Sequence, residues 1–120
     1  MKSPHAVIHL SHESARIVEF DAASTRASTL EQHQHATRQH GSGVRSEHEF
    51  FASVCDRFGN IDKVLLAGGR AALADFRHYV EKHRPRVVPH IAAYEIVDHP
   101  TDNQLVALAR KRLDELERLA

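Results

Sequence analysis

Residues 60–84 read Asn60-Ile61-Asp62-Lys63-Val64-Leu65-Leu66-Ala67-Gly68-Gly69-Arg70-Ala71-Ala72-Leu73-Ala74-Asp75-Phe76-Arg77-His78-Tyr79-Val80-Glu81-Lys82-His83-Arg84, and the rest of the chain has to be arranged around them. Val64 to Ala67 is a short unbroken apolar run that ends in two glycines, after which Leu73, Phe76 and Val80 recur at spacings of three and four. A strand covered on both faces gives such a run, and the later spacing is that of one helix face. The stretch therefore predicts a buried strand, a tight turn and an amphipathic helix. Neighbouring strands and covering helices must come from the sequence on either side.

On the N-terminal side, His5-Ala6-Val7-Ile8-His9-Leu10 alternates Ala6, Ile8 and Leu10 against Val7 and His9, the period of a strand. After the polar Ser11-His12-Glu13-Ser14, the run Ala15-Arg16-Ile17-Val18-Glu19-Phe20 reads as its hairpin partner. Thr25 to His33 shows a weaker alternation among polar residues, suited to a third strand at a sheet edge. Residues 34–46 carry no apolar period and are read as an exposed loop. Ser46 with Glu49 forms a capping-box pattern ahead of the stripe Phe50, Phe51, Val54, Cys55 and Phe58, which predicts a helix.

On the C-terminal side, Pro85 and Pro89 interrupt the helix, Ile91 to Val97 reads as a fifth strand, and His99-Pro100-Thr101-Asp102 leads into a last helix with Leu105, Leu108, Ala109, Leu113 and Leu116 on one face. The order is β-β-β-α-β-α-β-α. An antiparallel meander followed by right-handed crossovers predicts a mixed five-stranded α/β sheet of ribonuclease-H-like type, helices on both faces. A flavodoxin-like doubly wound sheet is the alternative, disfavoured because three strands precede the first helix.

Composition narrows the function classes. With 120 residues the chain, 1–120, is read as a single domain. Sixteen Lys and Arg balance sixteen Asp and Glu, so nucleic acid would have to be held by a local patch. Cys55 is the only cysteine and lies in an amphipathic pattern, which favours a small buried residue over a reactive thiol. Nothing resembles a signal peptide, and the apolar runs fall far short of the roughly 18 residues of a membrane span, so a soluble cytoplasmic protein is expected.

Each candidate for chemistry has a plainer reading beside it. A two-metal nuclease needs carboxylates gathered at strand ends to clamp two ions. The first strand offers only Glu13 nearby, and the central strand ends in Ala67-Gly68-Gly69. Gly68-Gly69-Arg70 lacks the spacing and the Lys-Ser/Thr of a phosphate-binding loop, so the glycines are read as the means of a sharp turn, with an anion at the helix start as the sharper possibility. Eleven histidines stand out. His33 and His35 have the spacing of a two-ligand metal site, with His40 or His48 as a third, but solvated side chains flanking a loop are the better reading, and no metal or cofactor is expected. Between Arg70 and Arg86, five cations (Arg70, Arg77, Lys82, Arg84, Arg86) face two acids (Asp75, Glu81), which suits a weak RNA-facing strip or simply a solvated helix face.

Lys63 to Phe76 resembles the strand and following helix in the middle domain of archaeal and eukaryotic class-1 peptide release factors. Together with the hairpin, the His-rich third-strand region, Val97-Asp98-His99-Pro100-Thr101-Asp102 and Gln104-Leu105-Val106-Ala107, nearly the whole chain is similar to the small bacterial translational machinery proteins related to that domain. The resemblance implies the ribonuclease-H-like fold already reached from periodicity. It also implies that the loop between the third strand and the first helix corresponds to the Gly-Gly-Gln loop, whose glutamine assists peptidyl-tRNA hydrolysis on the ribosome. Here that loop reads His40-Gly41-Ser42-Gly43-Val44-Arg45, with no glutamine after the glycines. The expectation is a translation-associated protein that binds the ribosome or structured RNA through Arg38, His40, Gly41, Ser42, Gly43 and Arg45, without Gly-Gly-Gln-dependent hydrolysis. The alternatives are a homo-oligomeric interaction module, for instance a homodimer, and a hydrolase that uses the retained loop residues.

Overall fold

A computed structural model describes residues 3–21, 23–31, 42–59 and 61–119. Five strands, β1 (Ser3–Leu10), β2 (Ser14–Phe20), β3 (Thr25–Glu31), β4 (Ile61–Gly68) and β5 (Ile91–Ile96), form one sheet in the order β3-β2-β1-β4-β5. The first three are antiparallel neighbours, and β4 and β5 run parallel to β1. This is the mixed ribonuclease-H-like arrangement, and the flavodoxin-like alternative is excluded by the antiparallel meander.

The unbroken apolar run of β4 is explained by its central position. Val64 and Leu66 point into a core shared with Ala6, Ile8 and Leu10 of β1, with α1 (Ser42–Asp56) and with α2 (Arg70–His83). Leu65 and Ala67 point the other way, with Val7, Val18 and Phe20, onto Leu105, Val106, Ala109 and Leu113 of α3 (Asp102–Leu119). Two alternating strand faces, each covered, produce continuous hydrophobicity along the chain. At about 25 cal/mol per Å² of apolar area removed from water, these two layers are the main favourable term in folding.

Where the sequence reading and the structure differ, local chemistry gives the reason. Ser46 does not cap α1: the helix already starts at Ser42, which places Ser42, Gly43 and Arg45 in its first turn rather than in a loop. The first four N–H groups of any helix lack intrahelical partners, so a glycine there costs less than one in the interior. Strand β3 ends at Glu31, and the expected continuation to His33 lies outside the described residues. Pro85 and Pro89 end α2 as expected, and Pro85–His90 forms a 3-10 helix. Opposite Val64 and Leu65 the register of β5 shifts from Ile91 to Ala93, a β-bulge around Ala92. Val106, absent from the predicted apolar face of α3, is buried with it.

The stretch 97–104 ties α3 to the sheet. Val97 N–H donates to the Gly68 carbonyl (2.9 Å), and His9 Nε2 donates to the Asp98 carbonyl (3.0 Å). Arg16 holds Asp102 bidentately (2.9 and 2.7 Å) and also donates to Thr29 Oγ1 (3.0 Å). That fork of donors lowers the Asp102 carboxyl below its ordinary pKa. Thr101 and Gln104 make a reciprocal capping box: Gln104 N–H donates to Thr101 Oγ1 (3.2 Å), and Thr101 N–H to Gln104 Oε1 (2.8 Å). Replacing Thr101 by Ala is expected to lower stability by about 1 kcal/mol, and by Ser much less, as read from urea midpoints. Equal midpoints for the Ala variant and wild type would show that the cap contributes nothing.

Cys55 is buried on the inner face of α1, and burial pushes its thiol up to about 12, so it stays protonated and unreactive at neutral pH. Among the described residues no helix is long and apolar enough to cross a membrane.

Candidate functional site

Register places four chain ends on one edge of the sheet. Leu10 pairs with Gly68, Gly68 with Ile96, Leu10 with Ala15, and Ala15 with Leu30. The carboxyl ends of β1, β3, β4 and β5 therefore face the same way, the end at which open α/β sheets bind ligands. Strand β3 ends at this edge with Glu31, and α2 starts here beyond Gly68-Gly69.

Between α1 and α2 lies a groove of about 180 Å³, lined among others by Glu47, His48, Asp75, Tyr79, Lys82 and His83. His48, Tyr79 and His83 form a closed ring cluster, with centroids 5.1 Å apart for His48–Tyr79, 5.4 Å for His48–His83 and 5.1 Å for Tyr79–His83. Tyr79 is buried and continues into the core through Phe51 (5.6 Å), so the two histidine rings are propped on a fixed support. From the β1–β2 turn, His12 Nε2 donates to Asp75 Oδ2 (2.9 Å). Glu47 joins this pair: the ligand atoms of His12, Glu47 and Asp75 all lie within 4.8 Å of one another.

Other histidines make specific contacts elsewhere in the fold. Besides those of the groove, His5 stacks on Phe20 (5.8 Å), His9 holds the Asp98 carbonyl, and His90 Nδ1 donates to the Asp62 carbonyl (2.9 Å). The suggested trio His33, His35 and His40 lies outside the described residues. The basic strip is partly spent on internal contacts. Arg77 pairs with Glu81 (3.2 Å) and lies over the Tyr94 ring (5.6 Å), and Arg84 pairs with Asp56 (3.0 Å). Arg70, Lys82 and Arg86 make no ion pair among the described residues.

Of the residues expected to contact RNA, Arg38, His40 and Gly41 lie outside the described residues, and Ser42, Gly43 and Arg45 belong to the first turn of α1. The structure adds His12, Glu47, Asp75 and the His48–Tyr79–His83 cluster, none of which the sequence reading assembled. Positions 12, 47 and 75 share no local spacing, so only strand order brings them together. The periods of α1 and α2 place Glu47 and Asp75 beside the apolar stripe of each helix, which is the one signal the sequence held.

A larger depression, about 630 Å³, lies at the other end of the sheet, beside His5, Phe20, Arg110 and Glu117. Arg110 sits over the Phe20 ring (5.5 Å) and donates to the Asp21 carbonyl (3.0 Å), so its charge is already engaged. The groove beside α1 is smaller, yet it gathers the titratable groups at the carboxyl end of the sheet.

The fold is shared with proteins of translation. Pelota of Archaeoglobus fulgidus superposes with a TM-score of 0.65 at 12% identity, covering 93% of this chain. The archaeal translation termination factor aRF1 does so with a TM-score of 0.62 at 15% identity over 96%. Dom34 of S. cerevisiae, a translation termination-like factor involved in RNA quality control pathways and interacting with Hbs1, gives 0.55 at 11% over 94%. The chain spans 32%, 39% and 35% of those three proteins respectively. At these identities the likeness establishes the fold. The sequence matches no protein-family model and no curated protein.

Proposed function

We propose that this protein is a translation-associated factor that binds the ribosome or structured RNA, as one release-factor-middle-domain-like unit, through the segment entering α1. Arg38 and Arg45 contact phosphate, and His40, Gly41, Ser42 and Gly43 let the backbone approach closely. The observation that carries this reading is the fold held in common with Pelota, aRF1 and Dom34 over nearly the whole chain. Gly41-Ser42-Gly43 is followed by Val44 and Arg45, with no glutamine, so binding does not lead to Gly-Gly-Gln-dependent peptidyl-tRNA hydrolysis. Lys and Arg are balanced by Asp and Glu, so the electrostatic contribution is local, modest and salt-sensitive.

The test is co-sedimentation with ribosomes in low-salt lysate. The protein is expected in the ribosomal fraction, to leave it as salt rises, and to be depleted from it in an Arg38→Ala/Arg45→Ala variant. Absence from that fraction at low salt would overturn the reading. One observation favours the second reading, a homo-oligomer: Ile96, on the edge strand β5, is 58% exposed. Light scattering over a concentration series decides that case, since an apolar dimer would persist in high salt.

A further inference from the structure

We propose that His12, Glu47 and Asp75 form a binding site for a first-row divalent cation of the Zn²⁺ class, clasping the β1–β2 turn to α1 and α2. The set combines one imidazole with two carboxylates, donors that suit Zn²⁺ and Mn²⁺. Its three ligand atoms lie within 4.8 Å of one another, and His12 and Asp75 are already at 2.9 Å. Zinc holds N and O donors at about 2.0–2.2 Å, which at tetrahedral angles spaces them about 3.3 Å apart. His12 and Asp75 are thus near the required separation, and a rotamer adjustment of Glu47 brings in the third donor.

The three residues come from separate elements whose positions are set by the core. Asp75 stands next to Phe76, and Glu47 lies one turn before Phe50 and Phe51; all three phenylalanines are buried. His12 is carried on a turn held by Ser11, whose Oγ accepts the N–H groups of Glu13 (3.2 Å) and Ser14 (3.0 Å). The donors therefore converge without a flexible segment having to order first. In the metal-free protein the His12 Nε2 proton bridges to Asp75, and in the bound protein the cation takes the place of that proton. The two carboxylates by themselves balance the charge of one bound dication. Three protein ligands leave a fourth position for water.

The proposal does not depend on ribosome binding and is tested by equilibrium dialysis of the whole protein against Zn²⁺, with circular dichroism to confirm that each variant is folded. Wild type is expected to bind one Zn²⁺ in its tightest class and to rise in Tm with it. His12→Ala, Glu47→Gln and Asp75→Asn should each lower that affinity by at least the roughly 10–100-fold that loss of an outer-shell partner costs. A His33→Ala/His35→Ala variant should retain it. The proposal is overturned if wild type binds no Zn²⁺ at micromolar concentration, if His12→Ala and Asp75→Asn bind as wild type does, or if the tight class disappears with His33 and His35.

Discussion

Gly68→Ala is expected to remove most of the protein's stability, by about 4 kcal/mol or more, while Gly69→Ala changes it by no more than about 0.5 kcal/mol. The two glycines are adjacent in sequence but unlike in structure. Gly68 has φ +148°, a conformation that side chains rarely adopt, and it pairs with Leu10 across the two central strands. A Cβ at 68 would collide with the Leu10 carbonyl oxygen and come within 3.2 Å of that residue's carbonyl carbon and amide nitrogen. All three are backbone atoms of β1, so no rotamer change relieves the clash, and the strands must separate where both cores meet. Gly69 has φ −75° and ψ 153°, open to any residue, and a methyl group added there would meet no described atom within 4 Å. At that position the reduced freedom of the unfolded chain, about 0.4–1 kcal/mol in favour of Ala, is offset by Ala's poorer performance as an N-cap. Urea denaturation of the two variants side by side checks the contrast, and a Gly68→Ala midpoint close to wild type would refute the packing argument.

Phe76→Ala is expected to cost about 3–5 kcal/mol, a large fraction of the 5–15 kcal/mol typical of such domains. Phe76 is fully buried and meets the edge of Phe51 at 5.3 Å and 89°, the contact that locks α2 against α1. In a double-mutant cycle with Phe51→Ala, the coupling should reach about 0.5–1.5 kcal/mol. If the two single costs simply add, the ring contact is incidental and only burial matters. The same pair holds Glu47 and Asp75 at their present separation, so Phe76→Ala should also weaken the proposed cation site.

The parts of the fold that are legible in the sequence are those whose signal is periodic. Ala6, Ile8 and Leu10 against Val7, or Leu73, Phe76 and Val80, record which side of a strand or helix is buried, and burial follows backbone period. The start of α1 is not legible, because Ser46 and Glu49 make a plausible cap and the preceding Ser42-Gly43 is a poor helix former; nothing local announces that the helix extends past both. The contacts of the histidines are not legible for a related reason. His9, His12 and His90 find partners 89, 63 and 28 residues away, and composition carries no record of such distances.

The sequence by itself determined the order of the elements, the two buried faces of β4 and hence the class of sheet, because these depend on side-chain alternation within each segment. The tertiary structure alone decided which residues share the carboxyl end of the sheet, that Arg16 closes on Asp102, and that His12, Glu47 and Asp75 converge. Those outcomes rest on strand order and register, where a shift of one residue turns a side chain to the opposite face, and no local pattern encodes the partner across the gap.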